Sequence, residues 1–347
     1  MLRALKHAFN APRLMGVKAT SAATVATVNI SPDDYASAVS ASDGKIVLTL
    51  KDVFSRAGVC VGSPFSVGVG ASGAVLISGD PAYNTAEFTT HDGTVADDGS
   101  FNGLILGYDS LETDYIGYGK QEAPFTVKST WNSPRIEVFK ITPHATTPAI
   151  NIGAGKATLT RNAAGDYTVT FKRPFSSDNV VAVPCVIAAS AAHHHVVSCS
   201  ATAVRVLVGA AGSGSDTNPF YLVVKGSDNP QYQGNHRKTV RVSDRLPRLI
   251  AGHISYSAGT PSIVKGTGDF TITDTGTGVL TVTFINDFAR EPIVVGNKDT
   301  AGLVTLNAAA STTGCVLDAF NGAGAAADPA DLHFMAFGFD DVDEYAI

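Results

Sequence analysis

The chain has 347 residues, which is room for two or three domains of ordinary size. Hydrophobic residues supply 44% of it and charged residues 16%, with a net charge of −6, so the composition excludes an intrinsically disordered chain. The sequence has no apolar run of 18 residues, and its basic residues cluster only in the stretch 236–248, which we interpret as a solvated linker face. We therefore expect neither membrane insertion nor a nucleic-acid partner.

The N-terminal segment, residues 1–12, is briefly basic and amphipathic. It lacks the continuous apolar stretch of a secretory signal peptide, so we expect no secretion by that route. Chain ends usually fray unless something holds them. We interpret residues 1–12 as a docking segment that a partner protein holds.

Short apolar runs rich in β-branched residues recur along the chain and predict strands. Two examples are residues 45–50 and 167–171. In the second run, Tyr167, Val169 and Phe171 alternate with threonines, as in a strand with one buried face. Almost no stretch keeps the apolar spacing of a helix over three turns. The sequence therefore predicts an all-β protein.

Three diverged copies of one unit follow one another, and three features mark each copy. Each copy begins with proline, arginine and a large aliphatic residue, at Pro12-Arg13-Leu14, Pro134-Arg135-Ile136 and Pro247-Arg248-Leu249. Each continues with a strand that follows a glycine and ends near a phenylalanine ten residues after it, at Gly44 and Phe54, Gly165 and Phe175, and Gly278 and Phe288. Each closes with an apolar strand and Gly-x-Asp, at Gly107-Tyr108-Asp109, Gly226-Ser227-Asp228 and Gly338-Phe339-Asp340.

These features predict three tandem antiparallel β-sandwich domains of jelly-roll-like topology. The predicted repeats are residues 13–110, 134–228 and 247–347, and the connectors between them are residues 111–133 and 229–246. Each repeat spans roughly 100 residues, within the normal range for a domain.

The strand from Gly165 to Phe175, Gly-Asp-Tyr-Thr-Val-Thr-Phe-Lys-Arg-Pro-Phe, is followed by Val-Val-Ala-Val-Pro-Cys-Val. This pattern resembles the sandwich repeats of bacteriophage virion structural proteins, of the capsid-decoration and tail-fibre-head type, and also H-type lectin modules. Residues 280–296 of the third copy match it, whereas the first copy carries inserted residues before its next strand. The resemblance covers about two thirds of the chain and implies the fold and a virion context.

Domains of that group commonly associate around threefold axes. The resemblance therefore implies that the three copies form a pseudo-trimer within one chain. Two alternatives stay open: copies in a row with only sequential contacts, or a homotrimer of the chain that packs nine domains.

The four cysteines do not occupy equivalent places in the three copies, and no CxxC pair is present. They are Cys60, Cys185, Cys199 and Cys315. We expect them to be reduced and buried in strands, as small hydrophobic residues.

The run His193-His194-His195 is the candidate metal site. In a strand, His193 and His195 share a face, and two imidazoles at that spacing can bind a transition metal. The other two copies lack these histidines, so a pseudo-trimer offers only two ligands. The competing interpretation is exposed histidines without a metal, and we expect no cofactor.

The candidate glycan site is the group of aromatic residues in the first connector, Trp131, Tyr115 and Tyr118. A lectin needs an exposed aromatic platform with polar neighbours, and this is the only candidate. The competing interpretation is packing between domains.

Catalytic motifs such as Gly-x-Ser-x-Gly, HExxH and the P-loop are absent from the sequence. The acidic pairs Asp97-Asp98 and Asp340-Asp341 are expected in turns or near the C-terminus, where aspartate commonly serves turn geometry. We expect no enzymatic activity.

We therefore expect a non-enzymatic virion structural protein that decorates or cements the capsid by bridging shell subunits. It is expected to be made in the host cytoplasm and to reside in the virion. Its expected partners are other virion proteins and further copies of itself, with a trimer favoured. The alternative is a tail-fibre or adhesin head that binds a receptor or glycan on the host surface.

Overall fold

The computed structural model describes residues 12–22, 25–28, 35–42, 45–50, 54–65, 74–76, 85–91, 100–109, 133–175, 180–188, 192–210, 213–228, 248–257, 259–298 and 302–338. Within these ranges every regular element longer than a turn is a β-strand. The all-β prediction is confirmed. Nearly all of the predicted docking segment and of the two predicted connectors lies outside the described residues.

The strands form three consecutive groups. The first group comprises β1 (Pro12–Ala22), β2 (Val25–Val28), β3 (Tyr35–Ser42), β4 (Lys45–Leu50), β5 (Phe54–Phe65), β6 (Ala74–Leu76), β7 (Thr85–His91) and β8 (Ser100–Asp109). The second group comprises β9 (Ser133–Thr142), β10 (Ala149–Ile152), β11 (Ala157–Ala163), β12 (Asp166–Phe171), β13 (Val181–Val186), β14 (His193–Cys199), β15 (Ala203–Ala210), β16 (Ser213–Gly214) and β17 (Phe220–Asp228). The third group comprises β18 (Arg248–Ser257), β19 (Thr260–Gly266), β20 (Phe270–Gly276), β21 (Val279–Phe284), β22 (Ile293–Lys298), β23 (Gly302–Leu306), β24 (Gly314–Asn321) and β25 (Asp331–Gly338).

The order of the strands is the same in each group. The first group forms the rows β2-β1-β8-β5 and β3-β4-β7-β6, and the third forms β19-β18-β25-β22 and β20-β21-β24-β23. The second group forms β10-β9-β17-β13 and β11-β12-β15-β14, with the short β16 beside β15. If the strands of each group are numbered from first to eighth without β16, all three groups have the orders 2-1-8-5 and 3-4-7-6.

This order is of the Greek-key type, because the eighth strand returns to lie beside the fifth. It corrects the jelly-roll-like expectation, since in a jelly roll the first and second strands lie in opposite sheets, whereas here they pair. The third and fourth strands pair as well. Only two residues separate β11 from β12 and β20 from β21, and the second of them is Gly165 or Gly278, with φ of 67° and 71°. So short a turn holds consecutive strands side by side in one sheet.

The two sheets of the second group pack face to face around a core of their own. Phe139 and Phe220 come from one sheet, and Tyr167, Val169 and Val204 come from the other. The rings of Tyr167 and Phe220 lie 6.1 Å apart between centroids. The alternation that the sequence shows in β12 thus directs its apolar side chains between the two sheets.

Parallel bridges join neighbouring groups. Val196 in β14 pairs with Phe65 at the end of β5, and Ile187, just after β13, pairs with Leu306 at the end of β23. Val196 and Leu306 occupy the same register position in their own groups. The second group therefore contacts the first in the same way as the third contacts the second.

Candidate functional site

The fifth strands of the three groups, β5, β13 and β22, contact one another. Each also contacts the eighth strand of another group: β5 contacts β25, β13 contacts β8, and β22 contacts β17. Each further contacts a sixth strand, and these pairs are β5 with β14, β13 with β23, and β22 with β6. The contacts are therefore cyclic, because every group meets the other two through the same strands.

A shared core fills the space between the three fifth strands. Its central pairs are equivalent in register, and all six side chains are buried in one hydrophobic cluster: Val61 with Leu104, Val183 with Val223, and Val295 with Met335. The neighbouring residues Ala182 and Val224 point the other way and belong to the core of the second group alone. Burial of each aliphatic side chain of this size stabilises a protein by about 1.5–3 kcal/mol, so the shared core holds the groups together.

Beside this core, each group has a pair of residues on neighbouring first and eighth strands at one equivalent register position. The pairs are Lys18 with Asn102, Lys140 with Tyr221, and His253 with His333. All six are polar, although their strands are mainly apolar. The three contacts between groups therefore share a geometry and differ in chemistry.

In the contact between the second and third groups, the polar pair binds a carboxylate. The Lys140 ammonium lies 2.7 Å from Oε1 of Glu291, and the Tyr221 hydroxyl donates to the same carboxylate and accepts from the backbone N–H of Ala310 at 2.8 Å. Burial raises the pKa of Tyr221, and Glu291 raises it further, so the phenol stays protonated as a donor. Lys140 and Tyr221 thus both have partners across this contact.

In the contact between the third and first groups, the polar pair is two stacked imidazoles. The rings of His253 and His333 lie 4.3 Å apart and are 4% and 2% exposed. His253 Nε2 lies 2.8 Å from Oδ1 of Asp331, and His333 Nδ1 accepts a hydrogen bond from the backbone N–H of Cys60 at 3.4 Å. Burial lowers the pKa of His333 well below its usual range, so the ring is neutral near pH 7.

In the first group the equivalent eighth-strand residue is Asn102, which is fully buried. Within the part of the chain that the structure describes, neither Nδ2 nor Oδ1 of Asn102 has a hydrogen-bond partner. An unsatisfied buried amide costs about 1–3 kcal/mol. Asn102 therefore contributes less to the stability of the folded state than Tyr221 and His333 do at the equivalent position.

In the second and third repeats, the three features that mark each copy meet in one small cluster. The guanidinium of Arg135 lies 3.9 Å from the centre of the Phe175 ring, and that of Arg248 lies 4.0 Å from the Phe288 ring. A Cβ atom on Gly226 would lie only 2.3 Å from the Phe175 ring. The Phe175 ring lies between the arginine and the eighth strand. It comes so close to that strand that only glycine fits at the first position of Gly-x-Asp.

A further equivalent residue was missed by the sequence analysis. Asp216 and Asp328 lie four residues before equivalent positions of the eighth strand, and they accept the backbone N–H of Gly165 at 2.8 Å and of Gly278 at 2.6 Å. Asp97 stands at the same distance before Phe101 in the first copy, but it lies outside the described residues. Alignment of the copies from their eighth strands would have found this aspartate, because its spacing is constant.

The run His193–His195 lies in β14, with His193 and His195 on one face and His194 on the other. His194 and His195 are buried, so the competing interpretation as exposed histidines is wrong for them. Burial lowers the pKa of all three, that of His194 to about 3. The carboxylate of Asp166 raises the pKa of His195, and it also accepts hydrogen bonds from Arg205 and Asn162. No group of three or more potential ligands that could hold a metal ion occurs among the described residues. A metal at His193 and His195 stays a prediction.

The remaining predicted sites have different outcomes. The cysteines Cys60, Cys185, Cys199 and Cys315 are buried and form no disulfide with one another, as predicted. Burial raises the pKa of Cys185 to about 12, so its thiol is not a nucleophile at neutral pH. The candidate glycan residues Trp131, Tyr115 and Tyr118 and the acidic pairs at residues 97–98 and 340–341 lie outside the described residues.

The described residues include no helix long and apolar enough to cross a membrane. Comparison with protein-family models, curated proteins and solved structures finds no match to this chain.

Proposed function

We propose that the chain folds into three tandem β-sandwich domains, one for each strand group. The identical strand order in the three groups and the equal register of their fifth and eighth strands support this division. The proposed boundaries lie between Asp109 and Ser133 and between Asp228 and Arg248, where one strand group ends and the next begins.

The three domains are arranged around a pseudo-threefold axis that passes between β5, β13 and β22. The cyclic contacts of these strands support this arrangement. In a row of domains with only sequential contacts, β25 of the third group would not contact β5 of the first. The chain thus acts as a trimer built from one polypeptide.

The function that this geometry supports best is that of a non-enzymatic structural protein, which in a virion decorates or cements the capsid. The observation that carries the proposal is the shared core, because it presents three equivalent domain surfaces around one axis. Such a molecule fits a partner with local threefold symmetry, such as the joint between three shell subunits. A protein that binds only the assembled shell stabilises it by mass action.

The shape and oligomeric state can be measured on the purified protein. We expect a compact particle in small-angle X-ray scattering, and light scattering will give either one chain of 35.8 kDa or a homotrimer. An extended rod of three beads contradicts the pseudo-threefold arrangement.

The location can be tested on particles that contain the protein. Electron microscopy is expected to find it at threefold or quasi-threefold positions of the capsid, and its removal is expected to lower the temperature at which particles release their contents. Unchanged heat resistance contradicts a cementing role. Binding to a glycan array that is lost in Trp131→Ala supports the alternative of a receptor-binding head.

A further inference from the structure

The contact between the third and first groups depends on a neutral imidazole. His333 Nδ1 accepts the backbone N–H of Cys60 at 3.4 Å, so this nitrogen must carry a lone pair and no proton. Beside it, the side-chain amide of Asn297 donates to the carbonyl oxygen of Gly62 at 3.3 Å. Two side chains of the third group thus hold the backbone of β5.

The groups that face His333 come from four strands. On β18 the ring of His253 stacks on it, and on β19 Lys265 lies opposite His253 in the register. On β22 Asn297 lies opposite it, and on β5 the groups are the backbone of Cys60 and Gly62. Lys298 is next to Asn297 on β22 and points to the other face of the sheet.

The nearby carboxylate of Asp331 contacts Nε2 of His253 at 2.8 Å. The charges that act on His333 are those of His253 and Lys265, and both disfavour a second positive charge. A proton on His333 therefore meets a stacked imidazole, a lysine and a backbone N–H donor.

We propose that the contact between the third and first groups is an acid-sensitive switch, in which protonation of His333 releases β25 from β5. The proton binds the lone pair on Nδ1 that accepts the N–H of Cys60, so this hydrogen bond is lost. The other two contacts have no histidine at this position, because Asn102 and Tyr221 occupy it. Acid thus opens the cyclic arrangement at one defined contact.

The direction follows from the lowered pKa of His333 in the closed state. A histidine exposed by opening has an ordinary pKa near 6.5, so the open state binds the proton more tightly. The closed contact keeps its full stability above about pH 6.5 and loses it as the pH falls below that value. The ratio of open to closed contact rises at most about tenfold for each pH unit.

Hydrogen exchange followed by mass spectrometry tests this on the full chain at pH 7.5, 6.0 and 5.0, after correction for the intrinsic pH dependence of exchange. Peptides of β5 report the contact, and peptides of β13 serve as the internal control. We expect β5 to lose protection by about tenfold or more at pH 5.0, and by clearly more than β13, which responds only to the loss of overall stability that the buried histidines cause. Equal losses in both strands, or no loss in β5, overturn the proposal.

The variant His333→Asn gives a matched second test, because asparagine is the residue of the equivalent position in the first group. We expect β5 in this variant to lose clearly less protection between pH 7.5 and 5.0 than β5 of the original chain does. A pH response as large as that of the original chain overturns the assignment to His333. If this variant does not fold, the comparison of β5 with β13 in the original chain decides alone.

Discussion

Phe288 and Phe175 link residues that are far apart in the sequence of each repeat. Each ring packs edge-on against the phenylalanine four residues before it, with centroids 5.1 Å apart for Phe288 and 5.0 Å for Phe175. Each is covered by the arginine that opens the repeat and rests on the glycine that closes it. In the second and third repeats, the arginine, the phenylalanine and the glycine of these motifs thus recur at positions that form one cluster.

The substitution Gly338→Ala tests the cluster. Its Cβ atom would lie 2.4 Å from the ring of Phe288, which is held in place by Arg248 and Phe284. We expect a loss of about 1–3 kcal/mol in the free energy of unfolding, because the ring must move. Urea denaturation measures it. In a Phe288→Ala background the same substitution should cost close to nothing, and an unchanged cost there contradicts the assigned contact.

The aspartates that hold the glycine turns should differ in their contributions. Asp216 binds the backbone of Gly165, the guanidinium of Arg161 and the hydroxyl of Tyr167. Asp328 accepts a hydrogen bond from the backbone N–H of Gly278. We expect Asp216→Asn to lower the free energy of unfolding by about 1.5–3 kcal/mol and Asp328→Asn by less. Denaturation of the two matched variants measures the difference. Equal losses contradict the view that the added partners matter.

At the scale of elements, the fifth strand, like the eighth, is buried on both faces. All residues of β13 are buried on both faces, since one face packs into its own sandwich and the other into the shared core. β12 instead alternates between buried and more exposed residues towards its end. A continuous apolar strand such as residues 180–186 indicates burial on two sides. The pattern does not show which surface covers the second face of the strand.

The substitution Val183→Ala tests the shared core. It removes two methyl groups from a side chain that is 1% exposed, and we expect a loss of about 2 kcal/mol. Hydrogen exchange should increase in strands of all three groups. The matched variant Val169→Ala lies in the core of the second group alone, and its effect should be confined mainly to that group. An effect of Val183→Ala on the second group alone contradicts a common core.

For the whole molecule, the buried histidines make stability depend on pH. Burial lowers the folded-state pKa of His194 to about 3 and that of His333 well below its usual range. Below about pH 6.5 the unfolded chain therefore binds more protons than the folded chain. The free energy of unfolding keeps its full value above that pH and falls below it. We expect each to reduce the free energy of unfolding by at most about 1.4 kcal/mol per pH unit between pH 6.5 and 5.

Urea denaturation at pH 7.5, 6.0 and 5.0 measures this dependence. The salt-bridged carboxylates Asp166 and Asp216 have lowered pKa values, so they lose their contribution only near and below their unfolded pKa of about 4. The variant His194→Leu should show a smaller decline between pH 7.5 and 5.0. A decline equal to that of the original chain contradicts a role for His194.

Much of the local structure could be predicted from the residues. The strands β4 and β12 match the predicted runs, the histidines lie on the predicted faces of a strand, and the four cysteines are buried and form no disulfide with one another. These features depend on alternation and turn chemistry, which act within a few residues. The aspartate at Asp216 and Asp328 and the polar pairs beside the shared core were missed, although each recurs at constant spacing.

By itself the sequence determined that the chain is all-β, that one unit recurs three times, and where its glycine turns and main strands lie. The tertiary structure decided the order of the strands, the cyclic contacts of β5, β13 and β22, and the partner of each buried polar residue. The physical reason is that an apolar pattern reports how far a side chain is removed from water. Which surface buries that side chain depends on packing between residues far apart in the chain. Cys60 and His333, which are 273 positions apart, are one example.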